Sequence, residues 1–333
     1  MPGVADPAVR AIRDRWRSLT GGSGTRDADR RTLIACSGGA DSTALALALA
    51  TCRPAPILAH IVHDLRSRED ALADRDAVIA LSERLGLECE TEEIAVAAEA
   101  GNDEANAREA RYRALERIAS RTGLRYLATA HHADDQLETI LMRLLRGSGP
   151  EGLACIRAAR TLSECTLIRP MLSLSHAEAV RLCEETGVQW REDHTNSDTG
   201  RLRAAIRHRV LPILEDIAPG GSARAADAAD LQQDLLDLLR LHTESLERDG
   251  LMARGADAVE FRRAVLAQAP EVVVGAVLRS NLGEFGRDKR SRQDLTRLVS
   301  AIRDGERSLR RFDLAGAAVE IEGDSVRISP ATG

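Results

Sequence analysis

The chain has 333 residues, a length that accommodates about two domains, and a hydrophobic content of 44%, ample for packed cores. Aromatic residues make up 2% and the formal net charge is -6, which argues against broad base-stacking platforms and against a surface attractive to nucleic acid everywhere. Nothing reads as a signal peptide or as an apolar run long enough to span a membrane, and the six cysteines (Cys36, Cys52, Cys89, Cys155, Cys165 and Cys183) include no Cys-x-x-Cys pair, so the expectation is a cytoplasmic protein with reduced, buried thiols.

Residues 1–31 read as an N-terminal extension, with a short helical stretch over 9–19 and a glycine-rich linker over 20–25. A buried parallel strand is expected over 33–36. It runs into Ser37-Gly38-Gly39-Ala40-Asp41-Ser42 and then an Ala/Leu-rich helix that is apolar almost all round. Strand, glycine turn and helix place unpaired N–H groups and the positive end of the helix dipole where a phosphate can sit. Gly38 and Gly39 allow close backbone approach, Ser37 and Ser42 offer hydroxyls, and Asp41 beside phosphates makes sense with Mg2+ between them. The turn is neither a Walker loop, since it has no Gly-Lys-Ser/Thr ending, nor a dinucleotide G-x-G-x-x-G turn. The bland alternative is an ordinary glycine turn with a serine cap.

A second strand over 57–62 leads to His63, at the crevice end of a parallel strand, where ligand contact or capping are both open. An amphipathic helix over 69–85 ends at Gly86, and a third strand is expected over 88–96. Asn102 or Asp103 can cap the next helix, whose Arg113, Arg117 and Arg121 share an exposed stripe. Residues 105–125 carry six arginines against Glu109 and Glu116, and residues 199–211 carry Arg201, Arg203, Arg207 and Arg209 without an acid. Either run alone reads as a solvated helix face; two in a chain with a phosphate loop favour a polyanionic partner. A fourth strand over 125–130 opens into His131-His132-Ala133-Asp134-Asp135-Gln136-Leu137-Glu138, and a helix begins near Asp135 with Leu137, Ile140, Leu141, Leu144 and Leu145 as its apolar face. Asp134 and Glu138, four apart, share a face there. Acids at a helix start complement the dipole, but the cluster also suits Mg2+, or an ammonium whose proton is later removed. Arg146-Gly147-Ser148-Gly149 reads as a phosphate-binding loop or lid, or as a plain helix cap.

A short fifth strand follows over 167–170, then a helix over 175–185 capped by Ser175 with Glu178. From Gly220 the composition shifts. A long helix over 223–246, helices over 261–279 and 291–302, and short strands over 308–312, 317–321 and 325–328, the last two a hairpin around Gly323-Asp324, predict a small second domain.

Several motifs together resemble the tRNA(Ile)-lysidine synthetases of the PP-loop ATP pyrophosphatase superfamily. They are residues 37–42, Asn106-Ala107-Arg108 with Arg111-Tyr112, His131-His132-x-Asp134-Asp135-Gln136-x-Glu138-Thr139, Arg146-Gly147-Ser148-Gly149 with Gly152-Leu153, Arg169-Pro170, and Glu192-Asp193-x-Thr195-Asn196. The resemblance covers about residues 32–214 and looks like the short form of the family, with one helical domain after the catalytic one. It implies an α/β fold, a Rossmann-like parallel five-stranded sheet of the adenine nucleotide alpha hydrolase kind, with domains over 32–218 and 219–333, the second a mainly helical α+β domain that contacts tRNA. It implies that ATP binds at Ser37, Gly38, Gly39, Ala40, Asp41, Ser42, His63, Arg146 and Gly147. It further implies catalysis by Asp41, His132, Asp134, Asp135 and Glu138, Mg2+ on Asp41 and Asp134, and tRNA contacts from Arg108, Arg111, Arg203 and Arg207. The implied reaction adenylates the wobble cytidine of a CAU-anticodon tRNA(Ile); the ε-amine of free L-lysine then displaces AMP. A homodimer is left open.

The chain departs from the family pattern at Val62, Asp64 and Ala204, which bears on substrate positioning more than on ATP chemistry. Competing readings are a tRNA thiolation enzyme, which would need Cys-x-x-Cys pairs, a PP-loop ligase for a small molecule, and a weakened relative that only binds tRNA.

Overall fold

The computed structural model describes residues 6–22, 26–64, 67–95, 103–191, 202–285, 291–314 and 316–331. The chain divides into two compact units, residues 1–233 and 234–333.

In the first unit the elements run α1 (Pro7–Leu19), β1 (Thr32–Ala35), α2 (Ala40–Leu49), β2 (Ile57–His63), α3 (Arg68–Leu85), β3 (Glu88–Ile94), α4 (Asp103–Thr122), β4 (Tyr126–Ala128), α5 (Ala133–Leu145), α6 (Pro150–Leu153), β5 (Ala159–Thr161), β6 (Thr166–Ile168) and α7 (His176–Thr186). The next elements are α8 (Leu202–Ala205), which continues through a π-helical turn (Ile206–Val210), and α9 (Leu211–Ile217). The long α10 (Gly221–Gly250) carries the chain past the division into the second unit.

The sheet order is β3-β2-β1-β4-β6-β5, with β1, β2, β3, β4 and β6 parallel and β5 antiparallel to β6. Alternation along each strand divides the core between two faces. Ile34, Leu58, Ala128 and Ile168 pack with α1, α2, α3 and α7, whereas Leu33, Ile57, Leu127 and Leu167 pack with α4. An α/β fold with a parallel central sheet is therefore what forms, and five of its strands are those read from sequence. The sixth, β5, is exposed at all three residues, so no apolar alternation announces it.

Because α2 is apolar all round it is buried all round: Ala44 to Leu49 are at most 1% exposed. That burial fixes the start of α2 at the carboxyl end of β1. The entry to its loop is held from β2, where buried His60 lies 2.9 Å through Nδ1 from the Cys36 carbonyl. Burial pushes the His60 pKa down from 6.5, so the ring is neutral and Nδ1–H is the donor.

Two arginines of the first basic run are paired with acids of the chain. On the exposed face of α4, Arg117 reaches Glu92 at 2.5 Å and Arg121 reaches Glu90 and Glu92 at 2.8 and 2.9 Å. These acids line the edge strand β3 and blunt it against further pairing.

The second unit continues with β7 (Leu251–Arg254), β8 (Val259–Arg262), α11 (Arg263–Gln268), α12 (Glu271–Phe285), α13 (Arg292–Arg303), β9 (Arg310–Leu314), β10 (Ala317–Glu322) and β11 (Ser325–Pro330). These strands form an antiparallel sheet in the order β7-β8-β11-β10-β9. The expected hairpin is β10–β11, turned at Gly323 with φ 55°. The stretch from Phe261, expected as helix, begins instead as strand: Val259 and Phe261 alternate inward and are fully buried. Arg263 braces this unit from inside. At 5% exposure, it donates to the carbonyls of Ala301, Ile302, Glu306 and Gly323 and to Asp304.

Arg263→Met is expected to lower stability by about 3 kcal/mol, because it strands several buried acceptors at once; the shift in a urea unfolding midpoint measures it. His60 gives a pH dependence. Its folded pKa lies below the unfolded value of 6.5, so its contribution is present above pH 6.5 and is lost as pH falls from there towards the folded pKa. Between pH 7.5 and 5.5 the unfolding midpoint of the wild type should therefore fall relative to that of His60→Asn measured over the same interval.

Candidate active site

The loop after β1 is closed by its own serines. Ser42 Oγ donates to the Gly39 carbonyl at 3.0 Å, accepts the Ser37 N–H at 3.2 Å, and lies 3.3 Å from Ser37 Oγ. Gly38 sits at φ +90°, a conformation that side-chain-bearing residues rarely adopt, and its carbonyl accepts the Arg191 N–H at 2.9 Å. Gly39 is the N-cap of α2 and brings no capping side chain, so the first N–H groups of that buried helix have neither a capping side chain nor an intrahelical acceptor. Asp41 stands in the first turn, partly buried.

Across the crevice, α5 starts at the carboxyl end of β4. The residues it buries are Ala133, Asp135, Gln136 and Glu138, while Leu144 and Leu145 are 54% and 70% exposed. The apolar stripe expected to face inward therefore turns out at its far end, and a polar stripe faces in. Gln136 is occupied structurally, with its amide bridging both the N–H and the carbonyl of Ile156 at 2.8 Å. His132 faces the loop: Nε2 is 3.6 Å from Asp41 and 3.6 Å from Asp135, and Nδ1 is 3.4 Å from Asp134. The loop after β1 and the acid cluster thus meet around His132.

Two partners in this crevice were not legible in the sequence. His176, the first residue of α7, lies with Nδ1 2.8 Å from Asp41 Oδ1 and donates its backbone N–H to Asp134 Oδ2 at 2.7 Å. An imidazole at a helix N-terminus works against the dipole, and that misplacement is the signal that could have singled it out. The other partner is the arginine pair. Arg203 donates to Glu138 Oε2 at 2.7 Å and Asp135 Oδ1 at 2.8 Å. Arg207 donates to Glu138 at 2.5 and 3.1 Å and to Asp135 at 3.1 Å. Asp135 and Glu138, three apart, therefore act together, whereas the expected pair of Asp134 and Glu138 is split between two sets of partners.

Electrostatics follow from this packing. Burial works against a charge on His132, but Asp135, Asp134 and Asp41 outweigh it and raise its pKa to about 9. The hydrogen bond to Asp41 raises that of His176. Burial would raise Asp135, yet His132 and the two arginines bring it down to about 2. Burial would likewise raise Asp134, but His132, the His176 N–H and Ser222 hold it below the ordinary carboxylate range. His131 is driven down to about 3 by burial and stays neutral, with Nδ1 2.9 Å from the Thr129 hydroxyl.

The remaining candidates are more dispersed. His63 ends β2, partly buried at the crevice side of the sheet. Arg146 and Gly147 cap the far end of α5, about 18 Å along its axis from Asp134, and Gly147 takes the left-handed cap conformation at φ 70°. Arg108 lies over the Tyr112 ring, 5.2 Å from its centroid, and Arg111 is exposed on α4. The Glu192-Asp193-x-Thr195-Asn196 motif, Arg201 and Asn102 fall outside the described residues.

For a divalent cation, the structure offers Asp41 with His132 and His176, one donor atom from each lying within 4.8 Å of the others. Asp134, expected as a ligand, sits behind His132 instead. Oxygen and nitrogen donors in this number fit a divalent ion.

Comparison with known proteins agrees with the fold. The PP-loop domain family matches residues 13–214. The chain is 38% identical over 254 residues to a tRNA(Ile)-lysidine synthase of Burkholderia pseudomallei, covering 70% of this chain and 52% of that protein, so it spans about half the length of that relative. It is 31% identical over 338 residues to a tRNA(Ile)-lysidine synthase of Rhodopirellula baltica, covering 89% of this chain and 84% of that one. Among solved structures, the tRNA thiolase NcsA of Methanococcus maripaludis shares the fold at a TM-score of 0.55 and 16% identity, over 68% of this chain and 80% of that one. With the family model matched over residues 13–214 and one relative matched at 31% identity over 84% of its length, the chain belongs to the tRNA(Ile)-lysidine synthase family of ATP-using PP-loop ligases.

Proposed function

We propose that this chain adenylates the wobble cytidine of a tRNA(Ile) with a CAU anticodon, consuming ATP and releasing pyrophosphate, and then joins free L-lysine through its ε-amine with loss of AMP. The observation that carries the reading is the approach of Asp41 to His132 and His176 at 3.6 and 2.8 Å, which makes the loop and the carboxylates one site.

The N–H groups of Ala40 and Asp41 at the mouth of α2 face the phosphates, with Ser37 and Ser42 holding the loop in shape. A divalent cation, when bound at Asp41, would supply neutralisation of the pyrophosphate charge. Asp135 and Glu138 bind positive charge: in the free chain they hold two guanidinium groups, and the same oxygens suit the ammonium of lysine. An arriving ammonium competes with those arginines, and RNA phosphates give the arginines an alternative partner. Arg203 and Arg207, at 40% and 38% side-chain exposure, keep an edge towards solvent for that contact. Arg108 and Arg111 on α4 extend the basic surface, and the second unit is proposed as a further tRNA contact.

One observation favours a second reading, a PP-loop ligase for a small amine without RNA: Arg117, Arg121, Arg203 and Arg207 are all engaged with acids of the chain itself.

The deciding experiment mixes the protein, Mg-ATP, labelled lysine and a CAU-anticodon tRNA(Ile) transcript, and looks for label on RNA. Label is expected with the wild type and absent with Asp41→Ala, whose tRNA affinity should stay within about twofold because the carboxylate faces the nucleotide rather than the RNA backbone. ATP turnover that ignores tRNA would favour the small-molecule ligase. Arg207→Ala is expected to weaken tRNA binding and to make its salt dependence shallower by about one charge. A filter-binding isotherm unchanged across several salt concentrations would remove Arg207 from the RNA contact.

A further inference from the structure

The crevice holds two imidazoles that an oxygen-loving cation does not need. Mg2+ is served by carboxylates, phosphate oxygens and water, and it has little use for imidazole. Here the acid of the phosphate loop, Asp41, is flanked by two imidazoles from different elements, His132 before α5 and His176 at the start of α7.

Both rings are held for the role. His132 is 5% exposed and its Nδ1 faces Asp134 Oδ2 at 3.4 Å, which leaves Nε2 towards Asp41. A carboxylate behind a histidine is the arrangement that fixes the tautomer of a metal-bound imidazole and raises its basicity. The same Asp134 oxygen accepts the backbone N–H of His176, so one carboxylate sets the position of both imidazoles. The helix start that carries His176 is itself locked by a reciprocal cap between Ser175 and Glu178. Asp135 Oδ2, 3.6 Å from His132 Nε2, adds to a field that favours positive charge at this point.

We propose that Asp41, His132 and His176 form a three-donor site for a divalent first-row transition-metal ion, with Asp134 as its outer partner, and that the two imidazoles make it prefer Mn2+ to Mg2+. Three donors leave further coordination positions for water or, on the ATP-dependent reading above, for phosphate oxygens; the metal preference rests on that reading only for what the ion does, not for whether it binds. Nitrogen donors raise affinity across the first-row series, whereas Mg2+ gains little from them.

The test uses the full chain without nucleotide or RNA. Free Mn2+ is followed by its electron paramagnetic resonance signal as protein is titrated, with Mg2+ as competitor and melting curves to establish folding of each variant. The expected result is saturable binding of Mn2+ near one ion per chain, displaced by Mg2+ only at about hundredfold excess or more. His176→Ala, an exposed position, should weaken Mn2+ at least about tenfold while changing Mg2+ affinity less than about twofold, and Asp134→Asn should weaken Mn2+ about tenfold without removing a ligand. Absence of saturable binding, equal affinity in His176→Ala, or displacement by an equal concentration of Mg2+ would overturn the proposal. The lysine-labelling assay with Mg-ATP reads the ligase reaction separately, so the two ideas fail independently.

Discussion

Four carboxylates share one crevice, and removing them from water is costly unless each meets a positive group. Asp41, Asp134, Asp135 and Glu138 find those groups on separate stretches of chain: His132 ahead of α5, His176 on α7, and Arg203 and Arg207 on α8 and the turn that follows it. Glu138 is wholly buried and is met there by two guanidinium groups. The requirement for charge neutrality therefore ties the phosphate loop, α5, α7 and α8 into one arrangement. It also explains why α5 turns a polar face inward: the charges on its buried side are compensated, and the helix end carrying Leu144 and Leu145 lies beyond their reach.

Much of this was legible before any coordinates. The strand, glycine turn and apolar helix over residues 33–50 specify their own geometry, because burial on both faces and a missing Cβ are local properties. The acid cluster after β4 announced itself by density, and the Gly323-Asp324 hairpin by its turn chemistry. What remained hidden were relationships between distant residues. His176 meets Asp41 across 135 positions, and Arg203 meets Glu138 across 65; no period or motif within a window contains such a pairing. The basic runs looked like solvated faces or RNA contacts because their acidic partners lie in other elements, Glu90 and Glu92 on β3 among them. Strands β5 and β7, exposed along their whole length, lack the alternation from which strands are read.

The helix that bears the acid cluster also shows how one element can serve two ends. Its N-terminal turn points carboxylates at the crevice, while its C-terminal turn closes in a left-handed glycine cap at Gly147 with Arg146 exposed beside it. Residues that sit within fifteen positions of one another in sequence are thereby held a helix length apart. Proximity in the chain suggests a single phosphate-binding ensemble, whereas the rise per residue of a helix sets Arg146 a helix length from Asp134.

The peptide unit between Gly38 and Gly39 is clamped from both sides, its carbonyl by the Arg191 N–H and its N–H by Ser37 Oγ at 3.4 Å. Its dipole is thus oriented during folding, before any anion arrives. On the proposed reaction, little solvent or backbone would have to rearrange as charge builds on a leaving pyrophosphate, because the loop would meet it with fixed dipoles that water has to gather anew at every turnover. Because Arg191 also grips Asp74 on α3, this readiness is carried by the tertiary structure and not by the six-residue loop alone.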